Sequence, residues 1–232
     1  MKRLLFVLIA AAGLLAGCAT LDEKQRQWIF QPSDRSWSRG AEAAAGMSDV
    51  WIEFASRESG QPVKLHGLWA PHADFERSAD APILLYLHGA RWNVTGSAFR
   101  MQRMQELGFS VLGIDYRGFG KSTADLPSEA MAYEDARAAW DWLGKTYPGR
   151  PRYIFGHSLG GAVALELAKN HLERHLETET FGAPVFSFSG SARRHRHYLD
   201  PVAAIDAGAQ TMAPQGLNPH SYQTLAARKR GD

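Results

Sequence analysis

The chain contains 232 residues, of which 45% are hydrophobic and 22% are charged, and its formal net charge at pH 7 is +2. A charge this balanced argues against a nucleic-acid partner, and a single cysteine, Cys18, excludes an intrachain disulfide. The length is sufficient for one domain with a single hydrophobic core, preceded by a short leader.

Residues 1–18 predict a signal peptide rather than a part of the fold. Basic residues are followed by an apolar run over residues 4–15, and small residues precede Cys18. The run is shorter than the roughly 20 residues that cross a bilayer, which disfavours a permanent transmembrane helix. Leu15–Cys18 resembles a bacterial lipobox, which implies lipidation of Cys18 and anchoring at the periplasmic face of a membrane. Ala19, rather than an aspartate, follows the cysteine and favours the outer membrane.

Residues 19–47 are polar, rich in alanine and glycine and only weakly periodic, and they predict a tether. The aromatic stretch Trp28–Phe30 is expected to become ordered and to cover a face of the domain that follows. The folded domain is therefore expected to span residues 48–232.

The domain begins with alternating apolar and polar residues at Val50–Phe54 and Val63–Trp69, which predict two antiparallel strands. Continuous apolar runs at Ile83–Leu87 and Val111–Ile114 are typical of strands buried on both faces of a parallel sheet. A third strand is predicted at Arg152–Phe155.

Helices are predicted between these strands, from about Ser97 to Leu107 with Gly108 as C-cap and from Glu129 to Lys145, and a small-residue helix follows to about Asn170. Strands that alternate with helices predict an α/β fold, with a mostly parallel sheet flanked by helices. Ligands of such sheets bind beyond the carboxyl ends of the strands.

The most specific motif is the G-x-S-x-G pattern at residues 156–160, between the third buried strand and the small-residue helix. This is the context that a nucleophile elbow requires. The turn is expected to strain the backbone of Ser158 and to hold its hydroxyl above the sheet. The N–H of Leu159, at the helix N-terminus, is expected to bind an oxyanion. Ser158 is the predicted nucleophile.

Two other strand ends carry polar residues. The segment His88–Trp92 lies where a second oxyanion donor is placed, and the backbone N–H of Ala90 is the candidate. His88 is interpreted as structural rather than catalytic. In the segment Asp115–Ser122, Asp115 and Arg117 are expected to supply loop hydrogen bonds rather than chemistry.

The segments His88–Gly89, Asp115–Ser122 and Gly156–Gly161 together resemble bacterial α/β-hydrolases of the serine aminopeptidase and monoglyceride-lipase type, over about residues 50–170. The resemblance implies an α/β-hydrolase fold and a serine hydrolase with a Ser-Asp-His triad. It also implies that no metal and no organic cofactor is needed.

The C-terminal part departs from that family because it is short and lacks a Gly-x-x-His loop. Thr180–Pro184 instead resembles the Thr-Phe-Gly-x-Pro stretch of class 3 lipases, in which the acid lies in an Asp-x-Val-Pro-like segment and the histidine follows later. By this resemblance Asp200, in Tyr198–Val202, is the candidate acid and His220 is the candidate base.

Other assignments stay open at this point. Asp206 and Glu179 are alternative acids, and His195 and His197 are alternative bases. The last two lie in the run Arg193–His197, which is interpreted as a solvated basic loop near anionic lipid headgroups.

The leading hypothesis is a membrane-tethered serine hydrolase that cleaves a lipid ester or a small acyl ester. Candidates for the wall of the acyl pocket are Trp92, Phe119 and Phe186, with core or lid packing as the alternative for each. A catalytically inert relative that binds an acyl ligand or an envelope partner is the alternative, and acyl transfer in place of hydrolysis is a third possibility. Oligomeric state is not indicated by the sequence.

Overall fold

The computed structural model describes residues 20–35, 38–169, 179–181 and 193–195. Its strands are, in chain order, β1 Ser48–Ala55, β2 Pro62–Ala70, β3 Ile83–Leu87, β4 Ser110–Ile114, β5 Arg152–His157, β6 Glu179–Phe181 and β7 Arg193–His195. Its helices are α1 over residues 20–30, α2 Ser38–Ala44, α3 Ala98–Glu106, α4 Glu129–Thr146 and α5 Leu159–Lys169, with a 3-10 turn at Thr95–Ser97 before α3.

The described strands form one sheet in the order β1-β2-β4-β3-β5-β6-β7. The pairs β1–β2 and β2–β4 are antiparallel, and β3 lies between β4 and β5 with all three parallel. β6 and β7 continue the parallel part. The predicted strands, their directions and the mostly parallel sheet are confirmed.

Successive side chains of the buried strands point to opposite faces of the sheet, so a hydrophobic core forms on each face. In β3, Leu85 belongs to the cluster that packs under α4 and α5, whereas its neighbour Tyr86 belongs to the cluster under α3. Met101 and Met104 of α3 complete the second cluster and are fully buried. Since burial of one such side chain contributes about 1.5–3 kcal/mol, helices on both faces are needed to stabilise a sheet this apolar.

The helix ends follow local signals. Ser128 precedes α4, and its hydroxyl accepts a hydrogen bond from the N–H of Met131 at 3.2 Å. The C-cap of α3 is Leu107, one residue before the predicted Gly108. Gly108 follows it with a φ of +89°, the left-handed conformation in which glycine commonly ends a helix.

Part of the predicted tether is packed on the domain. Phe30, at the end of α1, is only 4% exposed and belongs to the core under α4 and α5, while Trp28 is 75% exposed. In α2, Ala43 is buried, and a Cβ on Gly40 would lie 2.5 Å from the carbonyl oxygen of Thr95. The expectation that this stretch covers a face therefore holds for Phe30 and not for Trp28.

Two further points concern the ends of the chain. Within the described residues, no helix combines the length and apolar character needed to cross a membrane. The predicted signal peptide and Cys18 lie outside these residues. The interpretation of Arg193–His197 as a loop is wrong for its first three residues, which pair with β6 as strand β7. Backbone pairing forms this short strand, and charged side chains are compatible with the end of a sheet.

Candidate active site

Ser158 lies in the tight turn between β5 and α5, with a φ of +55° that non-glycine residues rarely adopt. The turn is closed by a hydrogen bond from the N–H of Gly161 to the carbonyl oxygen of Ser158, at 2.8 Å. A Cβ added to Gly156 would lie 2.1 Å from the carbonyl oxygen of Gly160. A Cβ added to Gly160 would lie 2.2 Å from the carbonyl oxygen of Leu87. Glycine is therefore required at both positions, as the elbow motif predicts.

A cavity of about 640 Å³ opens over Ser158, in the size range of small-molecule binding sites. Ser158 and Ala90 line it together with two aromatic side chains, Trp92 and Phe99, that are each about two-fifths exposed. The serine is thus placed beside a space that can hold an apolar group.

The loop after β3 approaches the serine closely. A Cβ on Gly89 would lie 3.0 Å from the Cβ of Ser158, so the glycine allows the backbone to reach the elbow. Ala90 follows it in the cavity wall, and Leu159 is the first residue of α5. Ala90 therefore shares the cavity wall with Ser158 and Leu159 directly follows the serine, and their roles as oxyanion donors stay predictions.

Positive charge dominates the described lining of this cavity. Arg91, Arg100 and Arg103 contribute guanidinium groups, and Glu106 contributes a carboxylate. Arg103 and Glu106 are paired at 2.8 Å, and the guanidinium of Arg100 lies 4.5 Å from the centre of the Phe99 ring. The cavity therefore attracts an anionic group.

His88 has the environment of a structural residue. Its Nδ1 donates to the carbonyl oxygen of Gly89 at 2.7 Å, and its ring packs between Tyr116 and Phe119, with centroids 4.8 and 5.0 Å away. Burial lowers the pKa of His88, although the nearby Asp115 carboxylate opposes the shift, so the ring is neutral at pH 7. The interpretation of His88 as structural is supported.

Asp115 joins three elements behind the site. One carboxylate oxygen accepts from the N–H of Val94 at 2.6 Å, and the other lies 3.0 Å from Nδ1 of His66, whose Nε2 lies 2.7 Å from Asp49. Burial alone would lower the pKa of His66, but the hydrogen bonds to Asp115 and Asp49 outweigh it and raise the pKa. His66 therefore bridges two carboxylates, and the hydrogen bonds to both favour its protonated form.

Arg117 is fully buried in a second polar cluster. Its Nε donates to Asp135 at 2.8 Å, its Nη2 donates to Glu134 at 2.6 Å, and its Nη1 donates to the hydroxyl of Ser56 at 2.8 Å. Burial by itself would raise the pKa of Glu134, but hydrogen bonds from Ser56, the backbone N–H of Arg57 and Arg117 lower it. Asp115 and Arg117 both serve loop hydrogen bonding, as predicted.

The remaining candidates fall into two groups. Trp92 lines the cavity, whereas Phe119 is fully buried against His88, which matches the alternative role of core packing. The other named candidates lie outside the described residues or have only their backbone described: Asp200, His220, Asp206, His197, Phe186, Glu179 and His195.

Sequence reasoning missed Phe99 and Arg100, which the first turn of α3 brings to the cavity. An exposed aromatic residue beside an arginine on an amphipathic helix was the available signal. Among the described residues, no cluster of histidine, cysteine and carboxylate side chains could hold a metal ion.

A family model described as serine aminopeptidase, S33, matches residues 79–205, which is more than half of the chain. The lysophosphatidylserine lipase ABHD12 of Xenopus tropicalis is 33% identical over 145 residues, 55% of this chain and 37% of that protein. Human protein ABHD12B is 40% identical over 145 residues, 61% of this chain and 32% of that protein. The chain thus spans about a third of these curated relatives.

Among solved structures, the esterase Pf2001 of Pyrococcus furiosus aligns with a TM-score of 0.51 and 20% identity, over 67% of this chain and 55% of that chain. At this identity the likeness concerns the fold alone. The predicted α/β-hydrolase fold is confirmed.

Proposed function

This chain belongs to the serine aminopeptidase S33 family of α/β-hydrolases, and from that membership we propose that it hydrolyses carboxylic esters through an acyl-enzyme on Ser158. The observation that carries the proposal is the strained Ser158 at the wall of a 640 Å³ cavity, beside the close-approaching loop at Gly89 and Ala90. Strain in a non-glycine residue persists where the surrounding structure imposes it, and such residues cluster at active sites.

In the proposed reaction, Oγ of Ser158 attacks the ester carbonyl carbon while His220 takes the serine proton. The N–H groups of Ala90 and Leu159 bind the oxyanion that forms, and Asp200 orients the imidazole. Collapse of the tetrahedral intermediate expels the alcohol, which receives the proton from His220. Water, deprotonated by the same imidazole, then attacks the acyl-enzyme and releases the carboxylic acid and Ser158.

We propose a single-chain acyl ester with an anionic group as the substrate. Trp92 and Phe99 offer apolar surface for the acyl chain, and Arg100 lies beside Phe99 in the same wall. The relatives named as lysophosphatidylserine lipases support this class. Replacing Arg100 with Gln should then raise the KM for lysophosphatidylserine and leave the KM for an uncharged monoacylglycerol unchanged.

The proposed location is a membrane, through lipid on Cys18. Leu21 and Trp28 of α1, a few residues further along the chain, are 67% and 75% exposed, and tryptophan is enriched where proteins meet the lipid headgroups. Labelling with radioactive palmitate in a bacterial host should mark the chain and fail for Cys18→Ser. Equal labelling of both would remove the lipid anchor from the proposal.

The hydrolase is tested with the full chain in detergent and p-nitrophenyl butyrate, comparing the unaltered chain with Ser158→Ala, His220→Ala and Asp200→Asn. We expect Ser158→Ala and His220→Ala each to lower kcat by at least about 1,000-fold with unchanged folding. If His220→Ala keeps its activity while Ser158→Ala loses it, the general base is assigned to His195 or His197 instead. An unaltered chain that cleaves neither this ester nor a longer one would favour the inert binding protein.

A further inference from the structure

Two consecutive residues of the loop after β3 hold a conformation that side chains rarely adopt. Arg91 has a φ of +62° and Trp92 has a φ of +61°, and both follow directly on Ala90. L-amino acids avoid this left-handed region because the Cβ crowds the backbone, and two in a row persist only where other contacts impose them. The contacts that fix this loop therefore also fix the backbone of Ala90.

Those contacts come from the segment at the end of α1, residues 30–34. The N–H of Arg91 donates to the carbonyl oxygen of Phe30 at 3.0 Å, and its Nε donates to Oε1 of Gln31 at 2.7 Å. The Nδ2 of Asn93 donates to the carbonyl oxygen of Asp34 at 3.0 Å. Three hydrogen bonds thus join the loop to a segment about sixty residues earlier in the chain.

The segment is itself held in place. Phe30 is buried in the core, and the Nε2 of Gln31 donates to the carbonyl oxygen of Trp28 at 2.9 Å. On the other side of the site, the N–H of Gly120 donates to the carbonyl oxygen of Ser33 at 3.3 Å. Arg26 donates through Nε to the carbonyl oxygen of Pro127 at 3.0 Å, and through Nη2 to that of Leu126. Arg26 and residues 30–34 therefore connect to the loops after both β3 and β4.

We propose that residues 30–34 position the oxyanion-hole loop and that Gln31 is a positioning residue for the reaction, an inference that rests on the proposed hydrolase. Gln31 is not among the described residues that line the cavity. Its side-chain oxygen accepts a hydrogen bond from Arg91, and its side-chain nitrogen donates one to the carbonyl oxygen of Trp28 in α1. Gln31 therefore connects α1 to the residue that follows Ala90. The segment between the predicted anchor at Cys18 and the domain then contributes to the geometry of the active site.

The test compares Gln31→Ala with Gln31→Glu and with Gln27→Ala, all in the full chain in detergent. Oxyanion contacts form in the transition state, so displacement of the loop should lower kcat and leave KM unchanged. We expect Gln31→Ala to lower kcat roughly 10- to 100-fold, because small misplacements at an active site have effects of this size. Gln31→Glu keeps an acceptor for Arg91 and should restore most of the rate. Gln27 lies one turn earlier on α1, and its side chain accepts from Lys24 at 3.3 Å, so Gln27→Ala is the matched control.

A second readout separates positioning from a general loss of stability. The affinity for a trifluoromethyl ketone, whose adduct with the serine carries an oxyanion, should fall in Gln31→Ala by the same factor as kcat/KM. Equal kcat in Gln31→Ala and Gln27→Ala, or a rate loss that only follows the fraction folded, would overturn the positioning role alone. An unaltered chain without ester hydrolysis would instead overturn the proposed hydrolase, and the positioning role with it.

Discussion

The loops after β3 and β5 and the loop after β4 lie at the same edge of the sheet, but different interactions shape them. Around Ser158 the backbone is decisive, with glycine at positions 156 and 160 and positive φ angles at Ser158, Arg91 and Trp92. In the loop after β4, buried charges are decisive, since Asp115 and Arg117 are each held by several polar partners.

The difference teaches how to interpret polar residues at strand ends. Asp115 and His88 are as close in sequence to strand ends as Ser158 is, yet their polar groups face neighbouring loops and the core rather than the cavity. Positive φ angles in non-glycine residues mark the reactive side of this edge. Mutually paired charges mark the scaffold, where the positive φ angles fall on Gly118 and Gly120. Single substitutions can disrupt either the loops around Ser158 or the charged cluster in the loop after β4.

The largest effect on stability is expected from Asp135→Ala. The substitution removes one of the two carboxylates that face the fully buried guanidinium of Arg117 and leaves only Glu134. Breaking a buried ion pair costs about 3–5 kcal/mol of unfolding free energy, and the remaining partner places the expected loss at the lower end, about 3 kcal/mol. Asp141→Ala, at an exposed position of the same helix, is the control and should change little. Urea denaturation measures both. A loss below about 1 kcal/mol would show that this cluster does not stabilise the scaffold as described.

For Gly160→Ala we expect a larger effect on activity than on stability. Its Cβ would lie 2.2 Å from the carbonyl oxygen of Leu87 and 2.5 Å from that of His88, so the elbow or β3 has to shift. Ester hydrolysis per folded molecule should fall about 100-fold, with about 1–3 kcal/mol lost in stability. Gly46→Ala has open space around its Cβ and should keep both properties. Full activity in Gly160→Ala would contradict the close approach described for the elbow.

A smaller effect, visible only as a pH dependence, is expected at His66. Its pKa is raised in the folded protein above the ordinary value of 6.5, because hydrogen bonds to Asp115 and Asp49 outweigh the effect of burial. The stabilisation is therefore fully present below pH 6.5 and is lost as the pH rises through the folded pKa. His66→Gln should flatten the decline in unfolding free energy between pH 6 and pH 9. If the unfolding free energy declines equally in His66→Gln and in the unaltered chain, groups other than His66 cause the decline.

The sequence predicted the elements whose signals are local. The apolar run Ile83–Leu87, the glycine that ends α3 and the G-x-S-x-G pattern each depend on neighbouring residues, and each is found where it was expected. Family resemblance added the second oxyanion position at Ala90, which stays a prediction together with the triad partners Asp200 and His220.

Contacts between distant segments were not predictable in this way. Nothing in residues 19–47 indicates that Phe30 and Gln31 bind the loop at Arg91, since the bonds use a backbone carbonyl and a single amide. His66 lies within an ordinary alternating strand, and its two carboxylate partners come from positions 49 and 115. Such arrangements depend on the register of the sheet and on loop paths, which local patterns do not encode.

The most direct test of the central claim is to treat the folded chain with a fluorophosphonate and to map the adduct by peptide mass spectrometry. An activated serine reacts with this probe, and an unactivated one does not. We expect one adduct, on Ser158, that is absent from Ser158→Ala and from the chain unfolded in urea. A folded chain that stays unlabelled, or that carries the adduct on another serine, would contradict the account.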